Sequence, residues 1–221
     1  MPKSKKNILT DPDTVKAGRK KRDSKASNPE QSTAQPEQTS PSAANKEKGF
    51  FIVGMGASAG GLEAFEQFFS HIPPDKGMAF VLIQHILPGY KSIMVDILKK
   101  YTRMKVLQME DGMPVEPNCV YIKPSNRDAT MSNRILHLVE LPVSQELKHP
   151  IDFFFQSLAK DQADRAICII LSGTGTDGTI GLKAVKDVGG MSMVLEEKSA
   201  KFGGMPASAI ETGLTDYVLP A

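Results

Sequence analysis

The sequence predicts an open, mostly parallel α/β sheet. It is doubly wound, with helices on both faces and a small antiparallel hairpin region inserted in it. Three observations predict this. From residue 49 onward, short apolar runs alternate with stretches of helical period. The runs are continuous rather than alternating, as strands covered on both faces require. One stretch, 119–140, instead breaks into short alternating pieces with turn residues between them.

The elements follow in order. FFIVGM (50–55) reads as the first strand, ending in glycine. Leu62, Phe65, Phe69 and Ile72 recur at helical spacing, and AFVLIQH (79–85) is a second strand. Ile93, Ile97, Leu98 and Tyr101 mark a second helix, and KVLQME (105–110) a short third strand. CVYIKP, ATMS and ILHLVE read as small antiparallel strands. A helix through Phe154 and Leu158 follows, then AICIILS (166–172), the most hydrophobic strand. The remainder reads as a helix over 178–188, a strand over 191–196, a helix over 205–212 and a last short strand over 215–220.

Composition divides the chain of 221 residues at about residue 48. Residues 1–48 hold Met1, Ile8, Leu9 and Val15 as their only large aliphatic or Met side chains, and no aromatic. Such a segment cannot offset its ordering entropy, so a disordered polar tail is expected over 1–48 and one folded domain over 49–221. The tail carries net +5 and the rest net −3, so the slightly basic balance belongs to the tail. A nucleic-acid partner is therefore not expected. Two cysteines, Cys119 and Cys168, exclude a disulfide scaffold and a four-Cys zinc site. No signal peptide and no span of about 18 apolar residues is visible, so a cytoplasmic protein without membrane insertion is expected.

Three predicted strands end in loops rich in polar groups, where open α/β sheets collect ligands and chemistry. The first is GMGASAGG (54–61), with Ser58 inside the turn. Three roles are open to Ser58: a helix cap, a phosphate ligand in a glycine-rich loop, or a nucleophile whose oxyanion is met by the Ala59 N–H and the helix start. The glycines also imitate a dinucleotide fingerprint, but the second strand ends in Gln84-His85 and not in the acid that holds a ribose. His85 is the second polar group; a structural histidine is the plain alternative. The third lies in LSGTGTDGTIG (171–181), where Asp177 has three readings: helix cap, orienting acid for a histidine, or Mg²⁺ ligand. Together, a Ser, a His and an Asp at three strand ends meet the requirement of a catalytic triad.

The motifs add a resemblance. GASAGG, QH with a proline shortly after, EDG (110–112), YIKP (121–124), HPID (149–152), LSGTGTDG (171–178) and FGGMP (202–206) resemble the catalytic domain of the CheB-type chemotaxis protein-glutamate methylesterases. With Thr174 where many members have Met, the match is nearest to the methylesterase half of CheB/CheR hybrids. The resemblance implies Ser58, His85 and Asp177 as the triad, with Ala59, Thr174 and Met205 lining the site. It implies a serine hydrolase acting on glutamate γ-methyl esters of chemoreceptors, with deamidation of receptor glutamines in many members, and no metal or cofactor. Its implied partners are methylated receptor helices and, in hybrids, a receptor methyltransferase. Members usually carry a phosphoacceptor receiver domain, which 48 residues cannot form. The rival reading is a non-catalytic module that docks a receptor or signalling partner on the same fold.

Overall fold

The computed structural model describes residues 49–85, 93–125, 127–140 and 149–220. The expectations for residues 1–48 and for the proline after Gln84-His85 lie outside the described residues. Strand β1 (Ile52–Ala57) is buried along its whole length. Strand geometry sends alternate side chains to opposite faces. Val53, Met55 and Ala57 join Phe80 and Leu82 of β2 (Ala79–Gln84) against Phe65 and Phe69 of α1 (Gly61–His71) and Leu98 of α2 (Met94–Leu98).

The other face of β1 carries Ile52, Gly54 and Gly56, and α3 (Pro150–Gln162) lies on it. A Cβ on Gly54 would stand 2.9 Å from side-chain atoms of Phe155 and Leu158, and one on Gly56 2.4 Å from Ile151. The glycines that imitate a dinucleotide fingerprint thus let a helix approach the strand. Phe154, Phe155 and Leu158 fill this core with Leu182 and Val185 of α4 (Thr179–Asp187) and Met205 and Ala209 of α5 (Gly204–Glu211).

The remaining strands are β3 (Lys105–Gln108), β4 (Met113–Pro114), β5 (Cys119–Ile122), β6 (Arg127–Ser132), β7 (Ile135–Glu140), β8 (Ala166–Ile170), β9 (Met191–Leu195) and β10 (Tyr217–Leu219). Seven form one sheet in the order β10-β9-β8-β1-β2-β5-β3, with every pair parallel. The chain builds β2, β3 and β5 on one side of β1 and then β8, β9 and β10 on the other, so the strand order reverses beside β1, where such sheets open a crevice. The expected doubly wound α/β sheet is present, with the small antiparallel sheet β4-β7-β6 beside it.

One element differs from its sequence reading. CVYI is not part of the antiparallel insertion; as β5 it runs parallel between β2 and β3. The reason is burial on both faces: Cys119 and Tyr121 face the α3 side, Val120 and Ile122 the α1 side. The antiparallel hairpin is β6–β7, whose turn residues Asn133 and Arg134 have φ of 54° and 57°, as a two-residue hairpin turn requires. Among the described residues no helix is long and apolar enough to cross a membrane.

Candidate active site

The register of the central strands sets the spacing of the site. Ala57 pairs with Gln84, so Ser58 and His85 are the next residues on two adjacent parallel strands. The His85 N–H donates to the Ala57 carbonyl at 3.1 Å. Ser58 then turns the chain: its N–H donates to the Ser172 carbonyl (2.9 Å), and its own carbonyl accepts the Gly61 N–H (3.0 Å). The N-cap of α1 is Gly60, at φ 73°, which has no side chain to cap the helix. The capping role open to Ser58 is therefore not the one it takes here. Among the described residues its hydroxyl makes no hydrogen bond.

Asp177 follows β8, on the other side of β1 from His85's strand. It is buried, and its Oδ2 stands 2.9 Å from His85 Nε2, whose ring is about one-third exposed. A carboxylate accepts only, so Nε2 carries a proton, and in the neutral ring the lone pair is on Nδ1. The aspartate does cap a helix, but not the one it precedes. Oδ2 accepts the Ile151 N–H at 3.0 Å and Oδ1 the Asp152 N–H at 2.9 Å, both in the first turn of α3. In return, Asp152 Oδ1 accepts the Gly181 N–H in the first turn of α4 at 2.8 Å. The N-caps of these helices, His149 and Gly178, supply no side-chain cap of their own. Each helix is thus capped by an aspartate of the other, and each carboxylate lies at a positive helix end.

This exchange needs close contact. A Cβ on Gly181 would stand 2.4 Å from Phe155 Cβ and 3.1 Å from the Asp152 backbone. Burial pushes the Asp152 carboxyl up from its ordinary pKa; the Gly181 N–H opposes this and the Asp177 charge adds to it. A second buried pair stands at the same edge of the sheet. Lys123, just past β5, donates through Nζ to the carbonyls of Pro124 and Arg127 and lies 3.6 Å from Asp128 Oδ1. Burial lowers the lysine and raises the aspartate, more than their mutual attraction restores.

The other predicted lining residues are close by. Met205 is fully buried and its N–H donates to the Gly173 carbonyl. A Cβ on Gly173 would meet Met205 Sδ at 2.1 Å and Ser58 Cβ at 3.0 Å, so Gly173 lies between them. Thr174 is exposed, with its Cα beside Gly204. No hydrogen bond among the described residues engages the Ala59 N–H. His149, Asp152 and Asp177 form a cluster whose ligand atoms lie within 4.8 Å of one another, the spacing a metal ion would need. Its carboxylates already accept backbone N–H groups at two positive helix ends, which opposes a cation there.

Sequence reasoning did not single out Asp152 or Ser172. The signal for Asp152 was present in HPID: a proline at the first helical position places the aspartate two residues on, within the first turn. Nothing in the order of residues says that it caps a second helix.

The structure thus brings His85 and Asp177 into hydrogen-bonding contact, and sets Ser58 on the adjoining strand end. The three residues stand at the carboxyl ends of three neighbouring strands of the open α/β sheet. Residues 53–221 match the family model described as CheB methylesterase, and the chain belongs to that family. It is 31% identical over 173 residues to a protein-glutamate methylesterase/protein-glutamine glutaminase of Hydrogenovibrio crunogenus, covering 76% of this chain and 46% of that one. A relative with the same description from Geobacillus kaustophilus is 31% identical over 183 residues, covering 76% and 50%. The chain spans about half the length of the curated relatives it matches. The crystal structure of the Thermotoga maritima CheB methylesterase catalytic domain superposes with a TM-score of 0.71 at 30% identity, covering 78% of this chain and 93% of that one.

Proposed function

We propose that this domain is a serine hydrolase that removes methyl groups from glutamate γ-methyl esters on chemoreceptor helices in the cytoplasm, and that it deamidates glutamines by the same route. The observation that carries this reading is the 2.9 Å contact between His85 Nε2 and the buried Asp177, one strand away from Ser58. Family membership and the descriptions of the relatives support the substrate class.

In this reading Ser58 Oγ attacks the γ-carbonyl carbon while His85 takes the hydroxyl proton at Nδ1. Asp177 holds the tautomer and stabilises the imidazolium that results. The Ala59 N–H and the start of α1 face the oxyanion. The C–O bond to the methoxy group then breaks, and the proton on His85 leaves with methanol. Water, deprotonated by the same imidazole, attacks the acyl-enzyme and releases the glutamate carboxylate. Thr174 borders the site from the solvent side, and buried Met205 backs it beneath Gly173. For glutamine, ammonia takes the place of methanol.

The test compares Ser58→Ala, His85→Ala and their double variant on a receptor fragment carrying glutamate methyl esters. Each single variant is expected to lose at least about 1,000-fold in kcat, and the double variant hardly more, because triad members act as a unit. Near-normal methanol release by folded Ser58→Ala would sink the reading and favour a docking module.

A further inference from the structure

Ser172 sits in the strand-end loop after β8, is almost completely buried (1% exposed), and has no place in the triad. Its backbone carbonyl accepts the Ser58 N–H at 2.9 Å. Its hydroxyl donates to the Ala59 carbonyl at 2.8 Å and accepts the Phe202 N–H at 3.0 Å, with the Phe202 carbonyl farther off at 3.4 Å. The adjoining Gly173 N–H donates to the Phe202 carbonyl at 2.9 Å. A hydroxyl has one hydrogen, so the short bond to Ala59 uses it and the oxygen lone pairs serve Phe202. One side chain therefore joins three chain segments: the nucleophile turn, the loop after β8 and the loop before α5.

These bonds fix Ala59 from both sides. The peptide before Ser58 is held through the Ser58 N–H, and the peptide after Ala59 is held through its carbonyl. The turn packs closely on the clasp at Gly60, where an added Cβ would stand 2.6 Å from Ser172 Oγ. The peptide between Ser58 and Ala59, whose N–H is unengaged, is left with little freedom to rotate. An oxyanion donor works only if it is aimed before the charge develops, and small misplacements are costly.

We infer that Ser172 is a positioning residue for catalysis: its hydroxyl aligns the Ala59 N–H toward the oxyanion formed at Ser58. The inference rests on the esterase reading above. It requires that loss of the hydroxyl lower kcat while leaving KM nearly alone, and by more than the modest loss of stability that unpartnering the Ala59 carbonyl and the Phe202 N–H brings.

The experiment uses the full chain with Ser172→Ala, Ser172→Cys and Ser172→Thr, and Ser58→Ala as the reference. For each, melting temperature, kcat and KM for methyl-ester release, and affinity for phenylboronic acid are measured. The boronic acid forms a tetrahedral anion on the serine. Ser172→Ala is expected to lower kcat by roughly 10- to 100-fold with KM changed less than about twofold. Its boronate affinity should fall in step with kcat, and Ser172→Thr, which keeps the hydroxyl, should recover a large part of both. If Ser172→Ala fails to fold, Ser172→Cys decides, because it keeps the shape and weakens the hydrogen bonds. A folded Cys variant with low kcat and weak boronate binding supports the inference. A Cys or Ala variant with wild-type kcat and boronate binding overturns it, as does a fall confined to KM or melting temperature. Turnover lost in Ser58→Ala but kept in Ser172→Ala overturns this inference alone; turnover kept in Ser58→Ala overturns the esterase reading as well.

Discussion

Asp177 holds three groups with two oxygens, the Ile151 and Asp152 amides and the His85 ring, and the His149 ring stands 3.9 Å off. An asparagine there presents one acceptor and one NH₂ group, whose hydrogens must face the Asp152 N–H in one orientation, or the Ile151 N–H and the imidazole together in the other. Asp177→Asn is therefore expected to reduce turnover at least about 100-fold by upsetting the tautomer of His85. It should also cost about 1–2 kcal/mol of stability through an unsatisfied amide; urea unfolding together with kcat measures both. Lys123 and Asp128 behave differently. Asp128→Ala leaves a buried ammonium with only two carbonyl partners and should cost about 3 kcal/mol. The double variant Lys123→Met/Asp128→Leu removes both charges and should recover most of that loss in the same denaturation assay.

At the scale of elements, the contact between α3 and α4 decides whether the aspartates can exchange caps. Gly181→Ala would drive a methyl into Phe155 and the Asp152 backbone. The expected cost is about 2 kcal/mol, with a parallel drop in turnover as Asp177 moves from His85; thermal unfolding and kcat should fall together. At the far edge of the sheet, Lys186 of α4 holds Asp216, which also accepts the Ser192 N–H at the start of β9. The Lys186 hydrogen bond chiefly, with Ser192 helping, lowers the Asp216 pKa below its ordinary value. A depressed folded-state pKa contributes stability above the unfolded-state value, near 3.9, and loses it as pH falls through the folded value. Asp216→Asn should therefore lower stability at pH 7 by roughly 0.5–1 kcal/mol, since the pair is partly exposed. The gap to wild type should close below about pH 4.

Across the whole molecule, the parallel sheet and the three strand-end loops were legible because continuous apolar runs and glycine-rich turns have few other readings. CVYI was misplaced because four buried residues carry no mark of strand direction. Ser58, His85 and Asp177 stood out as polar groups at apolar strand ends. Ser172 did not, because a serine after a strand is common and only its contacts distinguish it, and these come from residues 59 and 202. The thiol of Cys168 lies in β8 near the middle of the sheet, and burial pushes its pKa up to about 12. With Cys119→Ala as the background, its reaction with a thiol reagent should occur only on global opening. The labelling free energy is then expected to match that from urea unfolding; faster labelling would reveal a local route into the centre of the sheet.

The exchanged caps also make the backbone a witness to the chemistry. The amide protons of Ile151 and Asp152 point at the same carboxylate that steadies His85. When the imidazole gains its proton, or an acyl group occupies Ser58, the electron density those two amides feel must change. Two amide resonances in the first turn of α3, both from buried residues, should therefore shift during inhibitor binding. They offer a spectroscopic view of the reaction from behind the site, with no reporter in the substrate's path.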